Sequence, residues 1–326
     1  MVFDSPRGAQ ASGSPTERDD AAARPGPVGA CSGRRLMVVF NPTAGGNRRR
    51  RLMKTLRHLD AHGCAVALRE TAKPGDAEVF AMEASAKDCD VVVIAGGDGT
   101  INEAINGISR GTGEVALGII PLGTANVLAH EIGLSIRPAK VAAALAQGPI
   151  RRIHLGEADG RKFMLMAGAG FDAEVVEHVN LKLKRVIGKG AYILEMLRQA
   201  RAYGFPTLHV TAEDTGETRQ AATAVALNGR HYGGPYKVVG DGGLSAASLD
   251  MVLLKRKGMF NVIRYATGLA TGRLARFSDV EVLRGSSFSI DGGNDEPVQG
   301  DGDIIARLPT RMRVAEETIE VVFPQA

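Results

Sequence analysis

Three short stretches of this 326-residue sequence place glycines and small polar residues directly after apolar runs. They are "FNPTAGG" at 40–46, "AGGDGTIN" at 95–102 and "PLGTAN" at 121–126. At a strand-to-helix turn, free N–H groups and aligned peptide dipoles form an anion site, and glycines let phosphate oxygens approach the backbone. Gly96, Gly97 and Gly99 meet that need in the second stretch. Asn41, Gly45 and Gly46 make the same offer in the first, and Gly123, Thr124 and Asn126 in the third. The second stretch is neither a Walker A loop, which ends in GK[ST], nor the spaced glycines of the dinucleotide fingerprint. A lone glycine turn needs no ligand, but Asp98 argues for one. A carboxylate beside a phosphate cradle is repulsive unless it orients a water, a hydroxyl or a magnesium ion.

The elements that must position these loops alternate. Leu36 to Phe40 form an apolar run stopped by Asn41-Pro42, and 48–62 is helical and basic. "CAVALRET" reads as a strand, 75–87 as a helix, 91–95 as a strand and 100–109 as a helix. "VALGIIPLG" reads as a fourth strand, with helices over 124–133 and 138–147. Strands alternating with helices imply parallel βαβ units in a layered α/β domain, over residues 35–150. Each of the three loops then reaches the carboxyl edge of one sheet, where open α/β folds bind ligands. After about residue 150, strand-like segments follow one another: "KFMLMAGAGF", "PTLHVTAE", "QAATAVALNG", "LDMVLLKR", "DVEVLRG", "SFSID" and "IEVVF". That rhythm predicts a second, largely antiparallel β domain over 151–326.

Composition sets bounds. Apolar residues make up 44% and charged residues 23%, and no run reaches the ~18 apolar residues a membrane span requires. The net charge of +4 suits an anionic ligand or membrane surface. No basic, aromatic-interleaved stretch resembles a nucleic-acid site. Cys31, Cys64 and Cys89 fit neither a metal site nor a disulfide framework, which predicts a reducing cytosol. Residues 1–34 carry too little apolar surface to order and read as a disordered tail.

Together, "NPTAGG", "GGDGTINEAING" and "PLGTANVLAHEIGL" resemble the diacylglycerol kinase catalytic family, which includes bacterial lipid kinases and the sphingosine and ceramide kinases. The resemblance implies a nucleotide-binding α/β domain followed by a β-sandwich domain, with the active site in the cleft between them. It implies transfer of the γ-phosphate of ATP, with magnesium, to a lipid hydroxyl. By the same resemblance Asn41, Pro42, Thr43, Ala44 and Gly45 cup the nucleotide, and Thr71 contacts it. Gly96, Gly97, Asp98, Gly99, Thr100, Ile101 and Asn102 hold the phosphates, and Thr124 closes the site. "PVQGDGDIIARLP" is similar to the family's DGE segment, with Asp303 where glutamate is usual. Asp301 is then the expected general base, and Asp303 its partner or the base itself. Phosphoryl transfer independently requires an aligned hydroxyl, neutralised phosphates and a carboxylate to take the proton. The chain departs from the family at Ala44, where serine is common. It departs also at Ala246 and Ala247, where an Asp-Gly pair would support an accessory structural magnesium site.

Other features have plainer readings. Asp291 to Glu296 form a solvated acidic turn without the spacing of an EF-hand, and His58 with His62 form a solvated helix face lacking a third zinc ligand. The basic stretch 180–203 reads either as an ordinary packed helix or as a surface for an anionic membrane. The sequence thus predicts a cytoplasmic lipid kinase, peripheral to the inner membrane, acting most directly on diacylglycerol, with a homodimer left open. A sphingoid base or ceramide is the next acceptor. NAD kinase and a non-catalytic nucleotide- or lipid-binding module are the alternatives, and Asp98, Asp301 and Asp303 argue against the last.

Overall fold

Apolar runs in four strands dictate the first half of the molecule. In the computed structural model these are β1 (Arg35–Phe40), β2 (Ala65–Glu70), β3 (Val91–Gly96) and β4 (Ala116–Pro121), parallel and in the order β2-β1-β3-β4. All six residues of β3 are buried, as a central parallel strand covered on both faces must be. Met37, Val39, Val92, Ile94, Leu117 and Ile119 face one cluster, which takes in α2 (Asp76–Glu83) and α3 (Asp98–Arg110). Leu36, Val38, Phe40, Val91, Val93 and Ile120 face the other, with α1 (Gly46–Ala61) and α5 (Pro138–Gln147). In α3 the apolar positions Ile101, Ala104, Ile105 and Ile108 recur at helical spacing, so one face is buried. Each of the three isoleucines contributes about 1.5–3 kcal/mol by leaving water.

The structure describes residues 33–42, 46–111, 115–178, 198–240, 242–293 and 295–325. The expected tail through residue 32, the nucleotide-loop residues Thr43, Ala44 and Gly45, and residues 179–197 of the basic stretch lie outside the described residues.

The second half is an antiparallel sandwich. One sheet runs β14 (Val280–Gly285), β13 (Leu249–Leu254), β10 (Thr223–Leu227), β7 (Met166–Gly170), β16 (Pro297–Gly300) and β17 (Asp303–Arg307). The other contains β8 (Leu208–Ala212), β9 (Glu217–Ala221) and β15 (Ser287–Asp291). Phe163, Ala167, Leu208, Val210, Met251, Phe288 and Met312 fill the space between the two. This second sheet is continuous with the parallel one through β18 (Thr310–Val322), which pairs in parallel with β4 at Val321 and antiparallel with β15.

Several elements differ from the sequence reading. β5 (Ile150–Ala158) pairs along β18 and has no counterpart in it, because its first three residues are exposed and two are arginines. The helix expected over 124–133 is α4 (Val127–Glu131), starting late because Asn126 is left-handed at φ 49°. The strand foreseen as "IEVVF" extends back to Thr310. The sandwich also carries two unforeseen helices, α6 (Phe171–His178) and α7 (Met259–Ala270).

Candidate active site

Neighbouring strands β1, β3 and β4 end side by side, so their loops meet. Asn41 Nδ2 donates to Thr100 Oγ1 at 3.1 Å, joining the first loop to the glycine knot. Leu122 N–H donates to Gly96 O at 3.0 Å, joining the third. A Cβ on Gly123 would stand 2.7 Å from Gly97 Cα, so the two backbones touch where only glycine fits. Asp98 locks this contact. Its Oδ1 accepts the Val127 N–H at 2.8 Å and its Oδ2 accepts that of Asn126 at 3.0 Å, which fixes the start of α4. The other end of α4 is also held: Glu131 accepts the N–H groups of Arg230 (2.9 Å) and His231 (3.0 Å) in the second half. Burial opposes the charge on Glu131, yet His231 and Arg230 hold its carboxyl below the usual range.

A fourth loop arrives from the sandwich. Strands β16 and β17 form a hairpin whose two central residues, Asp301 and Gly302, both have positive φ (50° and 93°). A type I′ turn demands that geometry, and Asp-Gly is a preferred pair for it. The Asp301 carboxylate accepts N–H groups from Met164 (2.6 Å), Leu165 (3.0 Å) and Met166 (3.1 Å). Asn102 Nδ2, from the knot helix, stands 3.3 Å from its Oδ2. Asp303 lies across from the knot itself: a Cβ on Gly99 would stand 3.2 Å from its Oδ2. The structure therefore brings Asn41, Gly96 to Asn102, Asp301 and Asp303 together. Thr124 is exposed on the third loop, and Thr71 is buried at the end of β2, donating its N–H to Phe40 O at 2.9 Å.

Residues 35–158 match the diacylglycerol kinase catalytic domain, and residues 166–323 match the YegS C-terminal NAD kinase beta sandwich-like domain. A diacylglycerol kinase of Bacillus subtilis (strain 168) is 29% identical over 299 residues, covering 90% of this chain and 97% of the relative. A Pseudomonas aeruginosa protein named "Probable lipid kinase YegS-like" is 31% identical over 273 residues, covering 81% of this chain and 88% of its own. The chain belongs to the diacylglycerol kinase family of lipid kinases. The crystal structure of a diacylglycerol kinase from Bacillus anthracis str. Sterne shares the fold, with a TM-score of 0.73 at 20% identity over 90% of this chain and 98% of that one.

A lipid kinase needs a basic group whose pKa lies near neutrality. Burial pushes the Asp301 carboxyl up to about 6, against its three backbone N–H bonds, and the charge on Asp98 adds to the rise. A kinase also uses ATP and a divalent cation. The hard oxygens of Asp98, Asp301 and Asp303 suit magnesium chemically. Among the described residues these three carboxylates do not converge into a closed set; only Glu174, Glu177 and His178 do so, on the surface of α6.

Further residues that the sequence did not single out bond to the residues gathered here or stand beside them. Asn106, fully buried, donates to Asn102 O, to Asn102 Oδ1 and to Lys162 O, each at 3.0 Å, and so holds Asn102 toward Asp301. Asp172 accepts from Gln299 Nε2 at 2.7 Å and from the Tyr232 hydroxyl, and Gln299 Oε1 accepts the Gly302 N–H at 2.9 Å. Burial pushes the Asp172 carboxyl up to about 6, against the Gln299 bond. The available signal was its place just past the glycines of "AGAGFD". Arg48, in the first turn of α1, has its guanidinium pushed down by burial and by neighbouring Arg51. An anion at that turn would relieve the repulsion.

Proposed function

We propose that this lipid kinase transfers the γ-phosphate of ATP to the hydroxyl of diacylglycerol, with residues 35–150 binding the nucleotide and residues 151–326 the lipid. The observation that carries this reading is the approach of Asp301 and Asp303, from the sandwich, to Asn102 and Gly99, from the glycine knot. Phosphates held at Gly96 to Thr100 would lie opposite the Asp301 carboxylate, to which, among the described residues, no lysine or arginine is bonded. In the reaction the acceptor oxygen bonds to the γ-phosphorus as the bond to the bridging oxygen of ADP breaks. Asp301 takes the hydroxyl proton, and its raised pKa suits a base at neutral pH. Asp303 and Asp98 are the groups that would face a nucleotide-borne magnesium ion, which supplies neutralisation of phosphate charge. Asp98 also holds α4 and the third loop in register. Asn102, at the end of the knot, orients Asp301 through its Nδ2.

Names of the relatives support diacylglycerol over a sphingoid base or ceramide as acceptor. No helix among the described residues is long and apolar enough to cross a membrane. The test is to incubate purified protein with labelled ATP, magnesium and a panel of diacylglycerol, ceramide, sphingosine and NAD. Labelled phosphatidic acid is expected. Label in NADP or in a sphingolipid alone would overturn the assignment.

A further inference from the structure

The segment 255–278 contains Lys255, Arg256, Lys257, Arg264, Arg273 and Arg276 and not one acidic residue. Its centre is α7, which turns Val262, Tyr265 and Gly268 inward. Val262 packs with Phe171 and Val175 of α6, the helix that carries Asp172. The opposite face leaves Met259 39%, Phe260 78% and Ile263 44% exposed. Ile263 stands one turn on from both Met259 and Phe260, so the three form a contiguous apolar patch and not scattered surface residues.

Charge surrounds that patch on both sides. Acids facing the segment from the adjoining strand are already matched: Asp279 takes Arg264 and the Tyr265 hydroxyl, with Arg256 3.5 Å away, and Glu281 takes Lys255 at 2.7 Å. Lys257 donates to the neutral Thr207 Oγ1 at 2.9 Å and forms no salt bridge among the described residues. Arg273 and Arg276 are exposed just past the helix. Phenylalanine, methionine and isoleucine ringed by cations form the pattern of a helix lying in a bilayer interface, apolar side chains at the acyl boundary and cations at lipid phosphates.

We propose that α7 and its basic flanks dock the kinase on an anionic lipid bilayer. Phe260, Met259 and Ile263 enter the headgroup region, while Arg256, Lys257, Arg273 and Arg276 meet lipid phosphates. The docking rests on the lipid-acceptor reading for its purpose, since Asp172 lies one packed layer behind α7. It is distinct from the basic stretch 180–203 that the sequence offered for the same task.

The experiment is sedimentation of the full chain with vesicles of phosphatidylcholine, with and without phosphatidylglycerol, beside turnover of a water-soluble short-chain diacylglycerol. Phe260→Glu and the pair Arg273→Gln/Arg276→Gln are compared with the parent. Each cation near an anionic surface is worth about fivefold in binding, so the pair should lose roughly 25-fold on anionic vesicles. Phe260→Glu should lose at least about tenfold, and both should keep parent turnover of the soluble lipid. Parent-like vesicle binding by both variants overturns the proposal. So does a shift from dimer to monomer in Phe260→Glu with vesicle binding intact, which would make the patch a contact between copies. Lack of parent turnover on every lipid would defeat the acceptor reading instead, and vesicle binding would still report on α7.

Discussion

Oδ1 of Asp98 accepts the backbone N–H of Val127 at 2.8 Å, so a carboxylate of the glycine knot serves as the cap of a helix from a different loop. Its companion oxygen takes the Asn126 N–H, which ties the third loop to the knot, while Asn41 Nδ2 ties the first loop to it through Thr100. Removing the carboxylate in Asp98→Ala should destabilise the start of α4 by about 1–2 kcal/mol, the usual worth of such a cap. Amide exchange at Asn126 and Val127 should then accelerate roughly five- to thirtyfold. Unaltered protection at both amides would show that the cap is dispensable.

Gly97 and Gly123 form the close approach between the knot and the third loop. A methyl group on residue 123 would meet Gly97 Cα at 2.7 Å and Asn126 Oδ1 at 2.8 Å. Gly123→Ala should cost about 1–3 kcal/mol, since the Gly97 backbone and the Asn126 side chain must both give way. Gly97→Val should do the same and also fill the space above the knot, so ATP affinity measured by calorimetry should fall to background. An ATP-binding Gly97→Val protein would rule the knot out as the phosphate cradle.

Asp301 is expected to govern the acid limb of the rate profile. With its carboxyl at about 6, kcat should fall tenfold per pH unit below that value and level off above it. Asp301→Asn should retain ATP binding, lose about 10²–10⁴ in turnover and lose the acid limb. Asp303→Asn, measured alongside, should lose less. A larger loss at Asp303 would reassign the base.

Asp172 gives a test that needs no substrate. Its native carboxyl stands at about 6 against an ordinary 3.8, so the folded state binds the proton more tightly than the unfolded state. Stability from this group is therefore full at low pH and is lost as pH rises through about 6. The whole rise amounts to at most about 3 kcal/mol. Relative to the parent, Asp172→Asn should gain up to that amount between about pH 4 and pH 7 in denaturant titrations. A pH-independent difference would mean that Asp172 is ionised throughout.

The legible parts of this chain were the local ones. Val91 to Gly96 announce a buried parallel strand by composition, and the glycines after it announce a close backbone approach, because both properties reside in adjacent residues. Contacts between distant segments left no such mark. Nothing near Asn102 indicates that Asp301 will face it, and the bond from Gln299 to Asp172 depends on how β16 lies against β7. The Asp-Gly pair at 301–302 was read for its chemistry, yet the positive φ of both residues shows an equal reason in hairpin geometry. Helix α7 was hidden for another reason. Its start lacks a capping side chain, and Gly268 together with several β-branched residues weakens its helical signal.

β18 has a consequence for how the molecule is made. This strand lies between β4 of the parallel sheet and β15 of the sandwich, and pairs Val322 with Ile150 far back in the chain. Until Thr310–Val322 is in place, β4 keeps an open edge and β15 and β5 lack the strand between them. Neither half can finish folding as the chain emerges from the ribosome, and both should close in a single late step. An unpaired β4 edge makes the nascent protein vulnerable to aggregation until that step is complete.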